Sequence, residues 1–337
     1  MKAPLGTGRW YSFANVCDEE LASSIRPDTI EQVSTSITRN PRDFKTPNYG
    51  LTRFSDLFSN RQLTALVTLS NLVKELRSTI EADAVSSGMP DDHVGLKDDG
   101  RGARAYAEAV TVYLAFMVDK LADRCSSIST WQSIGEKIRN VFARQAIPMT
   151  WDFAEVNVFS RSSGSFHNMA EQVVESIKTL PARPHCDAVQ RDATKTEGLH
   201  NLLVSTDPPY YDNIDYADLS DFFYVWLRRS LRNVWPDTFG TLQTPKAEEL
   251  VATPYRFEGD KQEAKNFFEN GMRETFGKLT RAMSDEYPMT VYYAYKQSES
   301  TGEGRTSSGW ETMLQALMDV GLQITGTWPM RTEREGR

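Results

Sequence analysis

The chain has 337 residues, 39% hydrophobic and 25% charged, which is typical of a globular protein with one large or two medium domains. Its formal net charge of −8 argues against a broadly basic nucleic-acid surface, while a local binding site stays compatible with it. No run approaches the ~20 apolar residues of a membrane helix and the first residues lack an apolar signal core, so we expect a cytoplasmic protein that does not contact a membrane.

The first half of the chain is predicted to be mainly helical. Recurrent prolines predict that residues 1–50 form an irregular lead-in segment. Residues 51–180 are predicted to form a helical region. Ser59 is a suitable N-cap for a helix whose apolar residues recur at near-helical spacing. A Gly- and Asp-rich loop is predicted over 86–102. Further helices are predicted over 103–124, 134–145 and 169–180.

Residues 181–337 alternate short strands with helices. This alternation indicates an α/β fold with a parallel sheet. The predicted strands cover 188–193, 202–206, 289–295 and 322–328. The predicted helices cover 218–232, 261–283 and 309–320.

The stretch Asp207-Pro208-Pro209-Tyr210 follows the predicted strand 202–206. Two successive prolines make a stiff, extended turn without backbone donors. The Asp207 carboxylate and a carbonyl of this turn can therefore accept hydrogen bonds from one planar amino group, and Tyr210 offers a face on which a flipped-out base can stack. The pattern favours a site for the exocyclic amine of a nucleobase over the alternative, a proline-rich turn with Tyr210 in the core.

Asp192 ends the preceding predicted strand, fifteen residues before Asp207. Ligands of open α/β sheets bind outside the carboxyl ends of strands, so adjacent strands that each end in an acid would place both carboxylates in one crevice. Asp192 is thus a candidate acceptor for the amino group of a bound adenosine moiety. An ordinary turn or helix-cap aspartate is the alternative.

The loop after Tyr210 combines aromatic and acidic residues ahead of a predicted helix. Tyr211 is a candidate to contact the base, either Asn213 or Asp212 is a candidate to orient it, and Tyr216 is a candidate to line its pocket. The alternative is that the acids of this loop are solvated or cap the helix, as Asp218 would.

These segments give the chain a resemblance to amino-group DNA methyltransferases that use S-adenosylmethionine, in particular to a family of large, adenine-specific bacterial DNA methylases. Some members of that family are encoded near phage-defence genes. The resemblance covers most of residues 50–334 and is most specific at Asp207–Tyr210. It is carried by residues 206–213, 216–229 and 326–334, and by the shorter segments 60–63, 136–139 and 151–155.

The resemblance implies a partial Rossmann-like methyltransferase sheet in residues 181–337, with the large, mainly helical region as an insert or N-terminal part. It implies S-adenosylmethionine as cofactor, DNA as partner and a role in restriction-modification or phage defence. Asp207, Pro208, Pro209 and Tyr210 would form the catalytic segment. Asp192 and its neighbour Ala193 would contact the adenine of the cofactor.

The sequence departs from this family at the cofactor. Family members carry a glycine-rich loop that wraps the methionine part of S-adenosylmethionine, and no segment here fits it. Gly6-Thr7-Gly8 lacks the preceding strand and following helix that such a loop requires. The family chain also continues past the segment 332–334 into a final strand. We therefore expect the C-terminal part of a longer enzyme, with weak or absent cofactor binding by this chain alone. A truncated gene, a split subunit and a designed protein stay open as its origin, and in a split enzyme a separate polypeptide would supply the loop.

Other functions stay open at the level of sequence. The same chemistry would serve cytosine amino methylation, and RNA is a further possible substrate. A non-catalytic module that binds DNA or a partner, with residues 50–180 as its docking part, is the alternative from another class. Local positive charge is offered by Arg228, Arg229 and Arg232 and then by Arg331 and Arg334, with solvated helix and tail charges as the alternative. The cysteines lie far apart and predict no metal site or disulfide framework.

Overall fold

The structure is a computed structural model that describes residues 13–180, 187–212, 214–293 and 308–330. Within these ranges the fold is mixed α/β and mostly helical, with seven α-helices and two small sheets of two strands each. The α/β prediction is therefore confirmed in this coarse form. None of the helices in these ranges has the length and apolar composition needed to cross a lipid bilayer.

Within the described residues, the helices are interspersed with four short strands. The helices are α1 (Val16–Ser24), α2 (Asn60–Ser86), α3 (Ala103–Ala122), α4 (Phe166–Thr179), α5 (Tyr216–Leu231), α6 (Lys261–Ala282) and α7 (Ser308–Asp319). The strands are β1 (Thr130–Gln132), β2 (Lys137–Arg139), β3 (Ser205–Thr206) and β4 (Thr290–Val291).

Contacts between Cα atoms divide the chain into two units. Unit 1 comprises Met1–Pro184 and Asp218–Thr244, and unit 2 comprises His185–Ala217 and Pro245–Arg337. One boundary falls within the first turn of α5.

Unit 1 has a core of aromatic side chains from α5 and the segment that precedes α2. The Phe58 ring stacks on Phe222, with centroids 5.7 Å apart, and meets Trp226 edge to face at 5.3 Å. Phe222 and Trp226 are at most 1% exposed. Burial of such rings supplies a large share of the hydrophobic stabilisation of a core.

Helix α2 begins where the sequence predicts. The Ser59 hydroxyl accepts a hydrogen bond from the Gln62 amide, and the Gln62 side chain accepts one from the Ser59 amide at 2.8 Å. This reciprocal capping box satisfies two amide donors that the first helical turn leaves without partners. The predictions of α3, α4, α5, α6 and α7 are also confirmed, with small shifts at the ends.

The predicted helix over 134–145 is wrong. These residues lie partly in an antiparallel hairpin in which Trp131 pairs with Ile138. Ile138 is buried between exposed Lys137 and Arg139, an alternation of period two that belongs to a strand. Glu136 adopts a left-handed φ of 43° next to Gly135, so the chain turns where the helix was expected. In addition, the lead-in segment contains α1, which the sequence analysis missed.

Unit 2 has its own apolar core, built by α6 and α7. The buried members are Ala252, Phe268, Met272, Phe276, Met313, Ala316 and Leu317. Its sheet pairs β3 in parallel with β4, with Ser205 opposite Thr290 and Thr206 opposite Val291. Strand β3 covers only the last two residues of the predicted strand 202–206, and β4 covers residues 290 and 291 of the predicted strand 289–295, whose residues 294 and 295 lie outside the described ranges.

Two predicted strands of unit 2 do not form. Residues 188–192 have no strand pairing, and Asp192 instead caps a short 3-10 helix, Ala193–Lys195. Aspartate side chains compete with strand pairing by bonding nearby backbone amides. Residues 322–328 are likewise unpaired. The Trp328 ring folds back over Gly326, leaving no room for a Cβ there.

Candidate functional site

The end of β3 places the Asp207 segment at the carboxyl edge of a parallel strand pair. The Thr290 amide donates to the Val204 carbonyl at 3.0 Å, and the Tyr292 amide donates to the Thr206 carbonyl at 2.8 Å. Asp207 therefore follows the last paired carbonyl of β3 directly. This is the edge at which ligands of α/β sheets collect.

Within the segment, Tyr210 and Asp207 bond to each other. The Tyr210 hydroxyl donates to Asp207 Oδ1 at 2.7 Å, and this bond, with the nearby charge, raises the pKa of Tyr210 to about 12. Asp207 is exposed, and among the described residues no donor bonds its second oxygen, Oδ2. Pro208 and Pro209 are half-buried. The carboxylate is thus oriented by one oxygen and keeps the other available to a ligand.

A chain of aromatic contacts leads from Tyr210 to Tyr293 and from Tyr293 to Trp310. The Tyr210 ring meets Tyr293 edge to face at 5.4 Å, and Tyr293 lies 5.9 Å from Trp310 at an interplanar angle of 34°. The Tyr293 hydroxyl donates to the Gly309 carbonyl at 3.3 Å. Burial, followed by the charge of Asp212, raises the pKa of Tyr293 to about 12. We call Tyr210, Tyr293 and Trp310 the aromatic cluster.

Sequence reasoning missed Tyr293 and Trp310 as site residues. Tyr293 is reached from Tyr210 through the parallel pairing of β3 with β4, which joins segments more than 80 residues apart. The only local signal was the position of Tyr293 just beyond a predicted strand, where parallel strands present ligand-binding residues.

Tyr211 lies against the core of unit 2. Its ring meets Phe268 edge to face at 5.2 Å, and its carbonyl accepts a hydrogen bond from the Ala252 amide at 2.9 Å. The residue has a left-handed φ of 42°. Gly309 approaches it so closely that a Cβ at position 309 would lie 3.0 Å from Tyr211 Cβ. Tyr211 therefore fixes the path of the chain immediately after the Asp207 segment.

Tyr216 lies at the start of α5 and is 46% exposed. Its pKa is raised by burial and then by the charges of Asp207 and Glu249, so its hydroxyl is within electrostatic range of the Asp207 carboxylate. Asn213, the other predicted base-contacting residue, lies outside the described residues.

A polar network holds the backbone next to Tyr216. Glu249 Oε1 accepts from the Ala217 amide at 3.0 Å, and Glu249 Oε2 pairs with Arg256 at 2.7 Å. Asp215 is fully buried and accepts from the Thr253 hydroxyl at 2.5 Å. A carboxylate at the first amides of a helix is favoured by the helix dipole. This network thereby positions Tyr216.

Asp192 is bonded within its own turn. Its Oδ1 accepts from the Thr194 amide at 2.9 Å and hydroxyl at 2.7 Å, and its Oδ2 lies 3.0 Å from Lys195 Nζ. These bonds, that of the Thr194 hydroxyl first, lower the pKa of Asp192. Ala193 is exposed in the first position of the 3-10 helix. The 3-10 helix packs against α6.

Two of the arginines considered for nucleic-acid contact are buried in unit 1. Arg228 and Arg229 are 8% and 5% exposed. The Arg229 guanidinium donates to the Thr29 carbonyl at 2.8 Å and to Asn71 Oδ1 at 2.9 Å. These arginines therefore serve the packing of α5 and offer little charge to a phosphate backbone. Two others lie outside the described residues: Arg331 and Arg334.

The residues present suit the part of a methyl-transfer site that holds the target amine better than the part that holds the cofactor. The Asp207 segment has an available carboxylate oxygen and an adjacent aromatic cluster, which suit a planar amine. Asp192 has the chemistry of an adenine-amine acceptor, but both of its oxygens already bond Thr194 and Lys195. By themselves, the described residues do not make a complete site for S-adenosylmethionine. Comparisons with protein-family models, with curated proteins and with solved structures found no match for the chain.

Proposed function

We propose that this chain supplies the target-amine half of an S-adenosylmethionine-dependent methyltransferase that acts on the exocyclic amino group of adenine in DNA. The observation that carries the proposal is the position of Asp207. It follows a parallel strand directly, has one oxygen held by Tyr210 and one available, and lies beside the aromatic cluster.

The chemistry asked of these residues is orientation and proton acceptance. S-adenosylmethionine, when bound, provides an electrophilic methyl group on a positively charged sulfur. Asp207 Oδ2 and the Pro208 carbonyl would accept the two amino hydrogens and draw the nitrogen toward a more nucleophilic geometry. The proton that the nitrogen loses on methylation passes to Asp207 or to water. Most of the rate gain in such a reaction comes from positioning.

The aromatic cluster would receive the flipped base. A base stacked on an aromatic side chain gains about 1–3 kcal/mol, which offsets part of the cost of leaving the duplex. Tyr210 is suited to this role because its hydroxyl is bonded to Asp207, so its ring and the acceptor oxygen keep a fixed relation.

The cofactor half is proposed to come from a separate polypeptide. That polypeptide would carry the glycine-rich loop and complete a Rossmann-like sheet of which β3 and β4 are a part. The proposed setting is a cytoplasmic restriction-modification or phage-defence system. Asp192 and Ala193 would contact the cofactor adenine only after Lys195 or Thr194 gives up its bond to the carboxylate.

A non-catalytic module that binds DNA or a partner is the second candidate. The observation in its favour is the local bonding of Asp192, which leaves both carboxylate oxygens with partners in a turn. A module of this kind needs no cofactor and would keep that turn unchanged.

The first experiment tests the proposed division of the site, and the second distinguishes the two candidates. Calorimetry with S-adenosylmethionine should give no micromolar binding by this chain alone; a micromolar Kd would contradict the proposed division of the site. Transfer of a labelled methyl group to DNA should appear when the polypeptide encoded directly upstream is added. If transfer stays absent for wild type and Asp207→Ala alike, the module is favoured.

A further inference from the structure

Strand β3 and the residues just before it pair along one edge only, in the part of the chain that the structure describes. The Leu202 amide donates to the Ala282 carbonyl at 2.9 Å, and the Leu202 carbonyl accepts from the Ser284 amide at 2.9 Å. The carbonyls of Val204 and Thr206 accept from amides in and directly after β4. Every second residue of β3 and its lead-in is thus bonded toward the same side.

Leu203 and Ser205 present the opposite edge. Successive residues of an extended strand direct their backbone groups to alternate edges, so the amides and carbonyls of these two residues point away from β4. Among the described residues, no group bonds any of them. A strand edge with free donors and acceptors is a template for pairing with another chain. We call the backbone groups of Leu203 and Ser205 the open edge.

One face of the strand pair is uncovered as well. Leu203 is 72% exposed, and Tyr292, which follows β4 on the same face, is 48% exposed. The other face is buried, because Val204 is 7% exposed and Val291 packs against the core of α6 and α7. Parallel sheets are as a rule covered on both faces. The open edge and the exposed face together therefore indicate an interface that another polypeptide completes.

The position of the open edge favours one kind of partner. A strand paired with Leu203 and Ser205 would run alongside β3, so the loop at one of its ends would lie at the Asp207 segment. The proposed function requires a second polypeptide to hold the methyl donor at that place. A second copy of this chain is a poorer occupant, because each copy carries a formal net charge of −8 and like-charged molecules repel each other.

We propose that the open edge of β3 docks the polypeptide that supplies the cofactor half of the site. An extended segment of that polypeptide pairs with the backbone groups of Leu203 and Ser205, and an apolar element of it covers Leu203 and Tyr292. The identity of the partner rests on the proposed function. The position of the docking surface rests on the bonding and exposure of the strand pair.

The first test is hydrogen exchange of backbone amides in the full chain, with and without the polypeptide encoded directly upstream and in the absence of S-adenosylmethionine and DNA. The amides of Leu203 and Ser205 should exchange fast in the chain alone and at least about tenfold more slowly in the complex. The Val291 amide points to the other edge of the strand pair and should be unchanged. Absence of a complex, protection of Val291 in place of Leu203 and Ser205, or protection in a dimer of the chain alone would each overturn the proposal.

The second test removes one donor of the open edge. Ser205→Pro deletes this amide and leaves the bonds to β4 in place, since an edge strand accepts proline where its N–H faces outward. It should weaken the complex by at least about tenfold in calorimetry, whereas Ser205→Ala keeps the amide and should stay within about twofold. Equal affinity of the two variants would contradict docking at this edge.

A variant of the exposed face keeps the test decisive if Ser205→Pro does not fold. Leu203→Lys changes a side chain that is 72% exposed, so it leaves the core intact. It should also weaken the complex by at least about tenfold, because a charge replaces apolar surface that the partner covers. Circular dichroism and thermal melting check that each variant is folded, and wild-type affinity of Leu203→Lys would count against the interface.

Binding and methyl transfer can fail separately. A complex that weakens in Ser205→Pro but transfers no methyl group to DNA in its wild-type form would contradict the proposed function and support the docking surface. Methyl transfer at the wild-type rate and affinity by Ser205→Pro would support the proposed function and overturn docking at the open edge.

Discussion

Unit 1 and unit 2 use their aromatic residues differently. In unit 1, Phe222 and Trp226 are almost fully buried and contact Phe58, so their contribution is hydrophobic burial. In unit 2, Tyr210 bonds an exposed carboxylate and meets Tyr293 beside it. The difference teaches that aromatic content by itself does not locate a site. A tyrosine at the end of a strand with its hydroxyl on an acid is the informative arrangement.

The units also differ in how a helix start is satisfied. Ser59 and Gln62 cap α2 within one turn. The Ala217 amide of unit 2 is instead bonded by Glu249, 32 residues away in sequence. A local cap stabilises one helix, whereas the distant cap couples a loop to the backbone that positions Tyr216.

The largest expected effect is on catalysis in unit 2. In the complete enzyme, Asp207→Asn should lower the rate of methyl transfer by about 10²- to 10³-fold, because the amide has one acceptor oxygen instead of two and cannot act as a base. Asp212→Asn, which changes an acid of the same loop, should stay within about tenfold of wild type. Single-turnover kinetics with labelled cofactor measures both. Equal loss in the two variants would mean that net charge, rather than Asp207 itself, matters.

The next effect is on the core of unit 1. Trp226→Ala should lower the free energy of unfolding by about 3–5 kcal/mol, since it leaves a large cavity beside Phe58. Trp151, which is 73% exposed and meets Tyr49 edge to face, supplies the matched control. Trp151→Ala should cost less than about 1 kcal/mol. Hydrogen exchange of the backbone amides in α2 and α5 measures the decrease in the free energy of unfolding. A similar decrease in both variants would contradict the described core.

A smaller effect is expected from Gly309→Ala in unit 2. Its new methyl group would meet Tyr211 Cβ at 3.0 Å, so the variant should be destabilised by about 1–3 kcal/mol. Gly277, inside α6, has only ordinary contacts at 3.7 Å. Gly277→Ala should therefore stabilise by about 0.5–1 kcal/mol through helix propensity. Thermal melting measures the change in stability of each variant. A change of the same sign in both variants would contradict the close approach of α7 to Tyr211.

The smallest effect concerns the distant cap. Glu249→Gln should cost about 1 kcal/mol, similar to Ser59→Ala. It should also lower the pKa of Tyr216, because a nearby negative charge that favours the protonated phenol is removed. NMR titration of labelled tyrosine measures this, with Ser59→Ala as the control that leaves the pKa unchanged. An unaltered Tyr216 pKa in Glu249→Gln would place Glu249 out of its electrostatic range.

The sequence predicts best where the signal is local. Ser59 with Gln62 marks the start of α2 within three residues, and the long apolar repeat behind it leaves little room for another element. The hairpin of β1 and β2 was mistaken for a helix because its apolar residues are few and Ile134 is almost fully exposed. The alternation of exposed and buried side chains that is typical of a strand is confined to the three residues of β2.

The site could be predicted in part. Asp207 and Tyr210 are three residues apart, so their bond lies within the motif itself. Tyr293 and Trp310 join Tyr210 through strand pairing and helix packing, which no local pattern encodes. Asp192 shows the opposite case: its position suggested a strand end, but the Thr194 hydroxyl and amide draw it into a cap.

The central claim is that the Asp207 segment holds an exocyclic amine for methylation. The most direct test is mass spectrometry of nucleosides from unmethylated plasmid DNA, incubated with S-adenosylmethionine, this chain and the polypeptide encoded upstream. The account predicts N6-methyladenine with wild type and almost none with Asp207→Asn. A methyl group on a ring carbon, or equal N6-methyladenine with both proteins, would contradict it.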